Sequence, residues 1–143
     1  MRSAILVLAA SLSMAAAAHA NPVSDRQALM KEFSRVARDV APFARGQLDY
    51  DAAAVQVALE GLKARAELFD VETLFPAGSE SGDGTEAAPT VWSDRAGFLA
   101  AVNRFKADIS AAVAARPQDR AVLEPLFGAV GDNCGGCHRG YRL

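Results

Sequence analysis

Five residues near the C-terminus carry the chemistry that this sequence can do: Cys134, Gly135, Gly136, Cys137 and His138. Together they spell C-x-x-C-H, the attachment signature of haem c. Residues three and four apart share one face of a helix, so both thiols and the imidazole can converge on one macrocycle. In that chemistry the thiols add to the haem vinyl groups and His138 coordinates the iron. Three other readings fit the cysteines less well. A thioredoxin-like redox pair sits beside a strand at a helix start, and no strand alternation is strong enough to carry a sheet. A structural zinc site needs four ligands, and two cysteines with one histidine do not complete a familiar set. A plain disulfide needs no neighbouring histidine. Gly135 and Gly136 each cost a helix about 1 kcal/mol relative to Ala. They either let another chain approach the haem edge or merely fray the helix.

Haem attachment requires free thiols outside the cytoplasm, and the N-terminus supplies the route. Arg2 precedes a run of apolar or small residues from Ala4 to Ala18, and Ala18-His19-Ala20 makes an A-x-A cleavage site. Residues 1–20 therefore read as a secretory signal peptide cleaved after Ala20. The run is too short to serve well as a membrane anchor. Residues 21–143 form the expected mature domain, periplasmic in a Gram-negative cell, with no stable membrane insertion after cleavage. Cleavage leaves His138 as the only histidine and Met30 as the only methionine.

Those losses narrow the iron's second axial position. A bis-histidine haem within one monomer is excluded. Either Met30 supplies a sixth ligand or the distal position is empty, and Met30 is otherwise adaptable core filling. Arg26 lies one turn before Met30 and faces the same way. It either pairs with a haem propionate or is a solvated first-turn arginine. Arg142, four residues past His138, either does the same or lies in a frayed tail. Tyr141 continues an apolar stripe and reads as packing with a hydroxyl contact near the haem. Trp92 and Phe98 read as core.

The elements that must position these residues are helical. The chain has 143 residues, enough for one domain. Its 51% hydrophobic content supports a buried core and excludes a disordered chain. The charge of −2 falls to −3 after cleavage, with 14 basic against 17 acidic residues. That balance argues against nucleic acid as a partner, since neutralising phosphates needs a basic surface. Alanine is abundant and β-branched runs are rare, which favours helix.

Apolar spacing marks four helices. The first starts near Ser24 or Asp25, carries Leu29, Phe33, Val36 and Val40, is strained by Pro42 and stops at Gly46. The second starts around Asp49 or Asp51 with the stripe Val55, Leu59, Leu62, Ala66 and Phe69. A polar loop follows from about Asp70 to Ala88, with Leu74 and Phe75 tucked into the core. The third starts near Pro89 or Thr90, carries Phe98, Val102, Phe105, Ile109 and Ala112, and fades by Arg116-Pro117. The fourth starts near Asp119 with Leu123, Phe127, Val130, Cys134, Cys137 and Tyr141, and Pro125 should kink or delay it. The expected fold is all-α, an antiparallel four-helix bundle with haem c bound covalently near the C-terminus. The cysteines fall on the apolar stripe, so the haem is held against the bundle interior.

From about Ser24 to Arg142 the chain resembles the class II c-type cytochromes, the cytochrome c′ family. The resemblance rests on the export signal, the four-helix pattern and the C-terminal C-x-x-C-H. Arg26-Gln27-Ala28-Leu29-Met30, Gln47 to Ala53, Leu74-Phe75-Pro76-Ala77-Gly78, Val91-Trp92-Ser93 and Cys137 to Arg142 are similar to family segments. It implies His138 as proximal ligand, Met30 at the distal position, Arg26 at the propionate-contacting position and Arg142 at the C-terminal basic position. It also implies a homodimer through the first two helices. The family divides between low-spin members, in which a helix-one methionine ligates iron for electron transfer, and five-coordinate members that bind NO or CO.

Three functions follow as expectations. The first is a periplasmic electron carrier, in which Met30 ligation would raise the potential. The second is an NO- or CO-binding protein with Met30 standing aside. The third is a haem-free helical bundle with a disulfide. No catalytic constellation is visible, so the expectation is not an enzyme. The acidic surface suggests a redox partner protein with a basic docking patch.

Overall fold

The computed structural model describes residues 21–82 and 84–143, so the expected signal peptide lies outside the described residues. The first helix, α1, runs Pro22–Ala44 and begins earlier than its spacing predicts. Asn21, rather than Ser24 or Asp25, is the cap. Its side-chain oxygen accepts from the backbone N–H groups of Val23 and Ser24, both at 3.1 Å. Pro22 fills a first-turn position whose N–H would have no helical partner in any case. Gly46 ends the segment as expected, with a φ of +66°. A Cβ there would stand 2.3 Å from the Arg120 guanidinium.

Helix α2 runs Ala52–Glu67 and is capped by Asp51, which accepts from the Ala54 N–H at 2.9 Å. Val55, Leu59, Leu62 and Ala66 are buried on one face, and Phe69 is buried just past its end. The expected polar loop contains one turn of helix, α3, at Val71–Leu74. Asp70 starts that turn by accepting from the Thr73 N–H at 2.7 Å. Leu74 and Phe75 enter the core, as expected.

The third expected helix is two. α4 spans Thr90–Ser93 and α5 spans Arg95–Ala115, separated at Asp94. The break has a local cause. Asp94 leaves helical geometry and uses its side chain to cap α5, accepting from the Gly97 N–H at 3.2 Å. The last helix, α6, runs Arg120–Tyr141 behind the Asp119 cap. Pro125 does not delay it. The helix has already begun five residues earlier, and Pro125 is exposed.

Helix α1 packs on α2 and α6, α2 packs on α5, and α5 packs on α6. The four long helices thus close an antiparallel bundle, as expected from the sequence. Its core has two parts. One holds Val40, Val55, Leu59, Ala112 and Leu123. The other is aromatic: Phe33 meets Phe105 at 5.1 Å and Phe75 meets Phe98 at 4.9 Å between ring centres, both edge to face. Burying one such side chain contributes about 1.5–3 kcal/mol. These stripes, more than intrinsic helix propensity, therefore hold the bundle. None of the described helices is long and apolar enough to cross a membrane.

Candidate functional site

The C-x-x-C-H residues lie in the last three turns of α6, which continues unbroken through Gly135 and Gly136 to Tyr141. Fraying is thus not what these glycines produce. A Cβ on Gly136 would meet only the Arg139 side chain, at 3.8 Å. Cys134 and Cys137 are free and half-buried. Both pack against the aromatic core, and so do Met30, Trp92 and Tyr141. One methionine from α1 and two thiols from α6 thus line the same apolar region.

The electrostatics separate this pair from a redox dithiol. Burial pushes the Cys134 thiol up. Burial also raises Cys137, with Cys134 adding to the effect. An activated redox cysteine has the opposite shift and sits at a helix start. The pKa of His138 is lowered, first by burial and then by the Arg142 guanidinium, while Glu86 acts the other way. A lowered value favours the neutral imidazole, which is the form that binds metal. Two thiols one turn apart, an adjacent, exposed imidazole and an apolar bed against the bundle fit a covalently attached haem.

Arg26 is not a solvated first-turn residue. It is only 4% exposed. Nη1 donates to the Leu74 carbonyl at 3.1 Å and to Ser79 Oγ at 3.0 Å. Nη2 donates to the Ser79 carbonyl at 2.8 Å and to Thr85 Oγ1. The guanidinium also lies 5.0 Å from the ring centre of Phe75 and 5.8 Å from that of Trp92, in cation–π contact. Burial lowers its pKa, and Glu80 opposes that shift. All four hydrogen bonds go to neutral acceptors. Among the described residues, no carboxylate stands within 4.0 Å of it.

Arg142 is exposed and paired rather than loose. Its Nε donates to the Glu86 carboxylate at 2.7 Å. The backbone around it is pinned as well. Ala87 and Arg142 form an isolated antiparallel bridge. The Ala88 N–H donates to the Tyr141 carbonyl at 2.9 Å, and the Leu143 N–H to the Glu86 carbonyl at 2.8 Å. Thr90 Oγ1 donates to the Gly140 carbonyl at 2.6 Å. Tyr141 packs its ring 5.0 Å from that of Phe98 and donates its hydroxyl to Asp94 at 2.9 Å.

One connection therefore reaches both sides of the site. Thr85 binds the arginine one turn before Met30, and Glu86 binds the arginine one turn after His138. Sequence reasoning missed Ser79, Thr85, Glu86 and Asp94. The first three sit in a polar segment without periodicity, which carries no local signal of its partners. Asp94 did carry one, as an aspartate immediately ahead of the apolar stripe of α5.

Comparison with known proteins places these features in context. The family model described as Cytochrome C' matches residues 21–142. A cytochrome c-556 from Agrobacterium tumefaciens (strain II Chrys) is 33% identical over 124 residues, covering 87% of this chain and 98% of the relative. The crystal structure of cytochrome c' from Rubrivivax gelatinosus superposes with a TM-score of 0.78 at 32% identity, covering 85% of this chain and 94% of that one. A nitric oxide complex of a cytochrome c prime variant from Alcaligenes xylosoxidans gives a TM-score of 0.75 at 33% identity, over 85% and 93% of the two chains.

Proposed function

The chain belongs to the cytochrome c′ family, whose members bind haem c covalently, and we propose that it is a periplasmic electron carrier. Cys134 and Cys137 hold the haem, His138 is the proximal iron ligand and Met30 stands at the distal face. The observation that carries this reading is the shared position of Met30, Cys134 and Cys137 against one aromatic core. When bound, the haem supplies an iron that changes oxidation state. The protein's own residues do the rest. The thiols fix the ring to α6, and the apolar bed excludes water from it. Arg26 and Arg142 contribute positive charge to the cofactor site, and the Arg26 charge meets only neutral acceptors in the chain. No substrate is converted. The partner is a redox protein with a basic patch. A second copy of the chain docks through α1 and α2, where Val57 is 70% exposed and Leu68, just past α2, is 67% exposed.

A second reading draws on the nitric oxide complex among the similar structures. In it, Met30 is a pocket wall and the open distal face takes NO or CO. The optical and spin-state spectrum of the holoprotein, with and without CO, separates the two. Low-spin iron that resists CO, and becomes high-spin in Met30→Ala, supports electron transfer. High-spin iron that binds CO readily supports the gas-binding reading. A colourless protein from cells that mature haem c overturns both.

A further inference from the structure

We propose that Glu86 is a positioning residue for the proximal side of the haem: its carboxylate holds the Arg142 guanidinium and offsets its charge one helical turn past His138, and so keeps the iron's reduction potential below the value Arg142 alone would set. The proposal rests on the haem-c reading, with His138 as ligand.

Two features of the pair carry it. First, the contact is built rather than incidental. Nε and Nη2 of Arg142 both face the same carboxylate oxygen, with Nε at 2.7 Å. Main-chain bonds fix both partners. The Arg142 N–H donates to the His138 carbonyl at 3.2 Å, and the Leu143 N–H donates to the Glu86 carbonyl at 2.8 Å. The Ala87–Arg142 bridge aligns the two segments. Glu86 is therefore held opposite an arginine whose backbone is bonded to the proximal ligand's own turn.

Second, the pair is poorly placed to stabilise the fold. Its side chains are 50% and 61% exposed. Exposed ion pairs contribute little to stability, because solvent screens them and ordering two long side chains costs entropy. The field of the pair at a nearby redox centre is a different matter. A lone cation near the iron favours the reduced, less positive state, and an adjacent anion offsets that preference. Glu86 supplies the anion, and its side-on grip on the guanidinium keeps both charges in one place.

The test is spectroelectrochemistry of the holoprotein in four forms: wild type, Glu86→Gln, Arg142→Gln and the double variant. The expected result is a raised potential in Glu86→Gln, a lowered one in Arg142→Gln, and a double variant between them. The shifts should shrink as salt is added, because the charges are half-exposed. A merely structural contact would shift the unfolding midpoint without opposed changes in potential. An unmoved or lowered potential in Glu86→Gln overturns the proposal, as do shifts of the same sign in the two single variants. A coloured wild type with an unmoved Glu86→Gln removes the role of Glu86 alone. A colourless wild type removes the haem reading and this proposal together.

Discussion

The Tyr141 hydroxyl donates to the Asp94 carboxylate at 2.9 Å and so ties the last turn of α6 to the first turn of α5. Gly97 leaves the space in which they meet. A Cβ built on it would stand 2.2 Å from Asp94 Oδ2 and 2.6 Å from the Tyr141 hydroxyl. Gly97→Ala must therefore displace the cap of α5 and the anchor of the haem-bearing helix at once. The expected cost is about 1–3 kcal/mol, the usual penalty for overpacking. Gly128 on α6 has nothing within 4 Å of such a Cβ. There the same change should stabilise by about 0.5–1 kcal/mol. Urea unfolding of the two variants checks the opposite signs.

Arg26→Ala should be costly for another reason. It strips donors from the Leu74 and Ser79 carbonyls and from the Ser79 and Thr85 hydroxyls, and it leaves a cavity against Phe75 and Trp92. Hydrogen bonds to a charged group contribute about 1.5–3 kcal/mol, and loss of this network should fall at the upper end. Amide hydrogen exchange should show residues 79–82 losing protection before the long helices do. Unchanged exchange there would remove Arg26 as the anchor of that segment.

Covalent attachment has its own signature. Cys137→Ala should weaken the haem's retention on extraction under denaturing conditions, because one of the two links is gone. His138→Gly should keep the links and change the iron spectrum. Undiminished attachment in the first, or an unaltered spectrum in the second, would contradict the assigned roles.

Stability should also fall in acid. The Arg35 hydrogen bond and charge hold the Glu32 carboxyl below its ordinary range. The Thr73 side chain and N–H do the same for Asp70. A carboxyl depressed in the folded state adds stability above its unfolded pKa, about 4, and loses it as pH falls through the folded value. Wild type should therefore exceed Glu32→Gln in stability at neutral pH, and the gap should close in strong acid. Thermal unfolding across that range measures it. A constant gap would mean that the carboxylate charge plays no part.

The fold was legible because its signals are local and periodic. Val55, Leu59, Leu62 and Ala66 repeat at helical spacing, and each is buried. The same holds for Phe98, Val102, Phe105, Ile109 and Ala112. Boundaries were read less well. Asn21-Pro22 starts α1 through a cap and a proline, while the nearby Ser24 and Asp25 offer equally good caps in sequence. The cap at Asp94 that divides the third helix carried a local signal, while its bond to Tyr141, 47 residues away, carried none.

The site divides along the same line. Cys134, Cys137 and His138 are chemical by type and spacing, and a helix alone puts them on one face. Sequence by itself therefore determined the cofactor chemistry and the helical architecture. Tertiary structure alone decided where the two arginines go. Arg26 and Arg142 look alike in sequence, as cations one turn from an expected haem residue. Folding buries the first among neutral acceptors and pairs the second with Glu86 at the surface. Periodicity specifies which face of a helix turns inward. It says nothing of which loop will cross that face, because the partners of Arg26 lie 48–59 residues away and meet it only when the chain has closed.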